Sequence, residues 1–252
     1  MGSFFIRFFK ERRKNLVPIT DLFVDETFTH YFQPIYHLSH WEPIGYEALF
    51  RSNITETPPE AFQLAKTHSR LHELDLMSIG KAIRTFFHNR STMFRSKQLF
   101  VNIFPSTVLH SDFLPFMRSQ THDLSYLVLE INESEKVESL SKWSSTVEEL
   151  KEMGVKIALD DVGKGFSGIE SIIQLKPHYI KIDRHLTQNA HRNREKQAFI
   201  ELALQFCRKF DIKMILEGIE HDDELQLAKS LRVPFAQGYA IGYPEPLLSH
   251  AR

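Results

Sequence analysis

The chain has 252 residues, a formal net charge of -1 and 25% charged residues. That length suits a single α/β barrel with a large buried core, and the near-neutral balance excludes a general electrostatic pull toward duplex nucleic acid, so a nucleotide would need a local site. Cys207 is the only cysteine, which excludes an internal disulfide or a cysteine-rich zinc site and favours a reducing, cytoplasmic setting.

In chain order, residues 1–30 come first, as a segment apart from a barrel domain over 31–248. The start, MGSFFIRFFKERRKN, interleaves Phe4, Phe5, Ile6, Phe8 and Phe9 with Arg7, Lys10, Arg12, Arg13 and Lys14. As an amphipathic helix it would lie on an anionic membrane surface or pack its phenylalanines against the barrel or a partner subunit. No apolar run reaches the roughly 18 residues that span a bilayer, and no signal-peptide cleavage pattern follows the basic start.

FQPIYHL and PIGYEALF follow as strands separated by only a few residues, around Ser39, His40 and Trp41. No crossover helix fits there, so the two strands must be antiparallel. From Pro58 to His88, apolar residues at mixed three- and four-residue spacing predict a helix, a short break and a second helix. VESLSKWSSTVEELKEM, EKQAFIELALQFCRKF and HDDELQLAKSL predict further helices, each preceding a short apolar strand. The pattern is that of a (β/α)8 barrel with one reversed strand, and no low-complexity linker divides it.

Seven strand-like runs, GYEALF, LFVNIF, YLVLEI, KIALDD, YIKID, MILEG and FAQGY, each end in a polar residue: Glu47, Asn102, Glu130, Asp160 with Asp161, Lys181, Glu217 and Gln237. Strand residues two apart share a face, so Phe100 precedes Asn102, Val128 precedes Glu130, Ala158 precedes Asp160, Ile215 precedes Glu217 and Phe235 precedes Gln237. A polar group after an apolar neighbour marks the strand leaving the packed interior at the C-terminal rim, where barrel active sites lie. Singly, each has a plain explanation as a solvated rim residue or turn. Seven together require one explanation.

Carboxylates brought together there would repel by roughly 4 kcal/mol per pair at 4 Å and an effective dielectric near 20. They need protons or cations. An oxygen-only set with the Asn102 amide suits Mg²⁺ or Mn²⁺, and adjacent Asp160 and Asp161 would let one carboxylate bridge two ions. Two-metal hydrolysis of a phosphodiester follows from such a set.

YFQPIYHLSHWEPIGYEALFR, VNIFP, LVLEINES, ALDDVGKGFSGI, YIKID, LEGIE and QGYAIG, in this order from about Tyr31 to Pro246, resemble the EAL domain family. These are phosphodiesterases that linearise the bacterial second messenger cyclic di-GMP. The resemblance implies that Glu47, Asn102, Glu130 and Asp160 ligate one metal and that Asp160 and Asp161 hold a second. It implies that Glu217 acts on the attacking water and that Lys181 orients it and offsets transition-state charge. Gln33, Leu49, Arg51, Asp183 and Gln237 would line the dinucleotide site, and Glu133 would brace the loop after the aspartate pair. Homodimerisation through that loop is also implied. The loop departs from the family pattern DDFGTGYSSL at Val162, Lys164 and Gly168, and Asn132 replaces the commoner threonine; Gly163 and Gly165 remain for a turn at positive φ. A receptor that binds cyclic di-GMP without cutting it, and a different barrel hydrolase such as one cleaving glycerophosphodiesters, are the competing readings.

Overall fold

In this computed structural model, residues 18–24, 27–89, 94–132, 140–163 and 168–248 are described. The basic aromatic start, Glu133 and residues 164–167 of the loop after the aspartate pair lie outside them. Eight strands close a barrel in sequence order: β1 Phe28–His37, β2 Glu42–Ser52, β3 Gln98–Ile103, β4 Leu127–Asn132, β5 Lys156–Val162, β6 Tyr179–Ile182, β7 Lys213–Leu216 and β8 Phe235–Ala236. β1 runs antiparallel to both neighbours, β2 and β8, and every other pair is parallel. The four-residue connection from β1 to β2 leaves room for a hairpin only, so the expected reversal of one strand is borne out.

Helices α1 Pro58–Thr67 and α2 Leu71–His88 bear out the predicted pair, the break falling at Ser69, whose φ is 57°. α1 begins with Pro58 and Pro59 in its first turn, where a missing N–H costs nothing. The three later helices predicted from periodicity form as α5 Leu140–Glu152, α8 Arg194–Lys209 and α9 Asp222–Ser230. Asn193 caps α8 by accepting from Lys196 N, and Glu224 folds back on α9 to accept from the backbone of Glu220 and His221. The short helices α3 Pro105–Val108, α4 Phe113–Arg118, α6 Gly168–Leu175 and α7 Arg184–Thr187 were not read from the sequence. Four to eight residues hold too few turns for a 3.6-residue period to show.

Three apolar clusters hold the molecule together, one of them joining Leu22 and Phe28 to Phe50, Ala61, Ala65 and Leu74. Outward-facing strand residues such as Leu99, Val101, Leu129, Ile157, Leu159 and Met214 pack beneath the helices against Ile79, Ile83 and Phe86 of α2, Trp143 and Val147 of α5, and Ile200 and Leu204 of α8. Truncating one of the large aromatic side chains here would cost about 3–5 kcal/mol. Inside the barrel, Ile35, Phe100, Val128, Ala158, Tyr179, Ile215 and Phe235 form a separate cluster, one residue per strand. The remaining strand, β2, supplies Gly45 at this level. A Cβ there would come within 2.4 Å of the Gln98 carbonyl oxygen and 2.9 Å of the Phe100 ring, so a glycine on β2 is what lets Phe100 fill the centre and meet Tyr179 edge to face at 5.2 Å.

Candidate active site

Two residues beyond that apolar layer, every strand presents a polar group to the barrel interior. β1 points the other way and so contributes Gln33, two residues before Ile35. The others give Glu47, Asn102, Glu130, Asp160, Lys181, Glu217 and Gln237, in the order read from the sequence. Backbone hydrogen bonds from Glu217 N to Ile182 O (3.0 Å) and Gln237 N to Leu216 O (3.0 Å) extend the ladder past the ends of β7 and β8, fixing both side chains.

Lys181 stands at the centre and is 1% exposed. Its Nζ lies 2.8 Å from Glu130 Oε1, 2.8 Å from Glu217 Oε1, 3.3 Å from Glu47 Oε2 and 3.6 Å from Asp160 Oδ1. Four carboxylates thus face one ammonium. Two amides also hold Glu47: Asn102 Nδ2 donates to its Oε1 at 2.8 Å, and Gln237 Nε2 donates to its Oε2 at 2.7 Å and to Gln33 Oε1 at 3.1 Å. Gln33 in turn donates to the Gly242 carbonyl at 2.9 Å.

The electrostatics record the imbalance. Burial first, then the Glu47 and Asp160 charges, push Glu130 well above the usual carboxylate range, with Lys181 pulling the other way. Burial pushes Asp160 up, and burial together with Asp160 and Glu47 lifts Glu217 to about 8, again against Lys181. Glu47 goes down: burial would raise it, but Lys181, Gln237 and Asn102 together favour its ionised form. Burial would lower Lys181, yet Asp160, Glu130, Glu217 and Glu47 jointly drive it well above its ordinary value. One cation cannot satisfy this ring. Glu130 Oε2 and Asp160 Oδ1 are buried with no hydrogen-bond donor among the described residues.

Adjacent strand residues should face opposite ways, so Asp161 needs a separate cause. Between β5 and β6 the register slips, with Asp160 and Asp161 set against the single residue Lys181, and Asp161 adopts φ 58°. This bulge turns both acids to one side. Oxygens of Asp160, Asp161 and Glu217 then all lie within 4.8 Å of one another. Asn132 donates to Asp161 Oδ2 at 2.9 Å, a supporting role that sequence reasoning missed; the only signal was its place two residues after Glu130. Gly163 follows at φ 109°, the turn geometry expected of it.

Two openings reach the ring. A cleft of about 480 Å³ is lined by Leu49, Arg51, Asn102 and Asn132 and by apolar groups including Phe62 and Phe104. Asp75 Oδ2, on α2, accepts from Phe104 N at 2.9 Å and fixes the turn that follows Asn102. A second opening of about 230 Å³ is lined by Gln33, Glu47, Glu217 and Gln237, with Arg184 and Tyr239 at its edge. Arg184 pairs with Glu220 there, a rim contact not singled out from sequence. Asp183 lines neither opening: it is buried and its Oδ1 accepts from His185 N at 2.8 Å, capping α7.

Residues 19–244 match the EAL domain model. The chain belongs to the EAL domain family. Among curated relatives, it is 27% identical over 222 residues to the cyclic di-GMP phosphodiesterase TpdA of Vibrio parahaemolyticus, covering 88% of this chain and 38% of that protein. The chain spans no more than about half the length of the first curated relatives it matches. The EAL enzyme Bd1971, in a form bound to cAMP and cyclic-di-GMP, superposes with a TM-score of 0.82 at 23% identity, over 97% of this chain and 68% of that one. BlrP1 of Klebsiella pneumoniae, in complex with manganese and cyclic-di-GMP, gives 0.76 at 23% identity, over 86% and 56%. These two likenesses concern the fold.

Proposed function

We propose that this chain hydrolyses one phosphodiester bond of cyclic di-GMP to give linear pGpG, with two divalent ions, Mg²⁺ or Mn²⁺, at the barrel mouth. The observation that carries the reading is the ring of inward-facing acids that one buried lysine leaves under-neutralised. Its donor set is hard oxygen, and the buried carboxylate oxygens Glu130 Oε2 and Asp160 Oδ1, which accept no hydrogen bond from the described residues, fit ligation to a cation. Glu47, Asn102, Glu130 and Asp160 would hold one ion, and Asp160 with Asp161 the other. When bound, such ions supply charge neutralisation and Lewis acidity.

The chain's own groups do the rest. Glu217, whose ionised form bound cations would favour, acts on the attacking water directly or through the second ion, and Lys181, within 2.8 Å of Glu217, orients that water and stabilises negative charge on the transferring phosphate. Arg51, whose planar fork suits a phosphate, lies with Leu49 in the larger cleft, while Gln33 and Gln237 lie in the smaller. These four form the proposed dinucleotide site; Asp183, which lines neither opening, is proposed to support it by capping the helix that brings Arg184 to the rim, and Glu133 is proposed to brace the loop after Asp161. The activity in TpdA's name and the ligands of Bd1971 and BlrP1 support this choice of substrate. No described helix is long and apolar enough to cross a membrane; a cytoplasmic setting with peripheral membrane contact through the basic aromatic start is part of the proposal. A homodimer through the loop after Asp161 is supported by Ile169 and Ile173, exposed by 71% and 60% on α6.

Incubating the purified protein with cyclic di-GMP and Mn²⁺ or Mg²⁺, then separating nucleotides by chromatography, should yield pGpG. Full recovery of intact cyclic di-GMP in both metals would overturn the assignment.

A further inference from the structure

At the opposite, N-terminal end of the barrel the charge reverses. A cavity of about 320 Å³ there is lined by His37, His40, Lys97, Gln98, Tyr179 and Lys213, with Phe235 and the single acid Glu42. His37, Gln98 and Lys213 lie two residues beyond Ile35, Phe100 and Ile215 of the apolar layer, away from the mouth, so the barrel interior presents them to its own floor. Lys156 occupies the same level on β5, two residues before Ala158.

These cations are not balanced. Lys97, Lys156 and Lys213 make no ion pair among the described residues. Burial and then Lys213 hold the Lys156 ammonium below its ordinary range. Burial, then Lys151, Lys156 and Lys213, lower His178 beside them, and burial followed by His40 lowers His37. The polar lining is also preorganised. The Tyr179 hydroxyl donates to Gln98 Oε1 at 2.7 Å, Ser39 donates its backbone N–H to His37 Nδ1, the His37 and His40 rings lie 4.4 Å apart, and the Lys213 ammonium sits 5.4 Å from the Tyr179 ring centre.

A concave site with several unpaired cations, hydrogen-bonding groups and aromatic faces has the chemistry of a phosphate binder. We propose that the barrel floor is a second ligand site, one that takes a small phosphate-bearing anion. The volume admits a phosphate, a pyrophosphate or a nucleoside monophosphate; a macromolecular surface has no need of such a recess.

The test is calorimetric titration of pyrophosphate, and separately of GMP, into the full chain stripped of divalent ions, at low ionic strength. Without metal, the acids of the mouth repel both probes. One saturable site is expected, weakened about tenfold or more by Lys97→Glu or Lys213→Glu and unchanged by Arg51→Ala at the other end. Lys213→Gln keeps the side-chain stem over Tyr179 and should show the same loss if charge reversal compromises folding. Tighter binding of GMP than of pyrophosphate identifies a nucleotide resting on the histidine faces; equal or weaker binding identifies the phosphate group alone. Either supports the site. No saturable binding of either probe, or binding indifferent to Lys97 and Lys213, overturns it. Neither outcome depends on turnover, so failure here and failure of the phosphodiesterase reading are separable.

Discussion

The two ends of one barrel carry opposite charge on the same set of strands. At the mouth, Glu47, Glu130, Asp160 and Glu217 surround a lone ammonium; at the floor, Lys97 and Lys213 line a recess that holds the single acid Glu42. Between them lies a dry layer of Ile35, Phe100, Val128, Ala158, Tyr179, Ile215 and Phe235. An overall charge of -1 therefore conceals a strongly polarised interior. A near-neutral composition excludes a global field, not a local one.

The largest expected effect separates charge from chemistry at the mouth. Asp160→Asn should lower kcat/KM by about 10²–10³ or more while leaving the metal-free melting temperature unchanged or raised, since a repelling carboxylate is lost. Wild-type turnover in this variant would refute the role of Asp160. Lys181→Met addresses the centre of the ring. Breaking a buried pair from one side costs about 3–5 kcal/mol, so denaturant midpoints should fall in metal-free buffer and recover in Mn²⁺ by a larger increment than in the parent. An equal increment would mean that the acids do not depend on added cations.

Acidity gives a smaller effect with a definite sign. Glu217 titrates at about 8 in the folded protein against 4.5 when unfolded. The folded state therefore binds the extra proton between those values, and metal-free stability should decline as pH rises from about 4.5 to 8. Glu217→Gln should flatten that slope; an unchanged profile would contradict the assigned burial. His30, buried on the mouth side of β1 and hydrogen-bonded to Ser78, supplies a contrast, because burial first, then Lys81 and Arg51, hold it near 3 instead of 6.5. Its contribution is complete above 6.5 and lost at roughly 1.4 kcal/mol per pH unit as pH falls toward 3, and a His30→Gln variant should be less acid-sensitive over that range. For the dry layer itself, Gly45→Ala should cost about 1–3 kcal/mol through overpacking against Phe100 and Gln98, measured by thermal unfolding with turnover largely retained.

Much of this is legible in the sequence. Alternation along LFVNIF and YLVLEI put Asn102 and Glu130 on the inner face because a strand's period is fixed at two, and the four-residue gap before PIGYEALF forced the reversed strand. Lys181 as the hub of the ring was not legible, because which acids share a cation depends on barrel closure and stagger. Nor was the bulge at Asp161: alternation would send it outward, and only the register between β5 and β6 turns it back. The basic floor escaped notice because Lys156 and Lys213 open their strands singly, where a lysine usually reads as a solvated end.

The central claim is that the mouth binds divalent cations through its paired acids. Titrating Mn²⁺ into metal-free protein while following free ion by electron paramagnetic resonance tests it directly. Uptake of two ions per chain with cyclic di-GMP present, lost in Asp160→Asn, is the predicted result. Absence of uptake, or uptake that Asp160→Asn leaves intact, would contradict it.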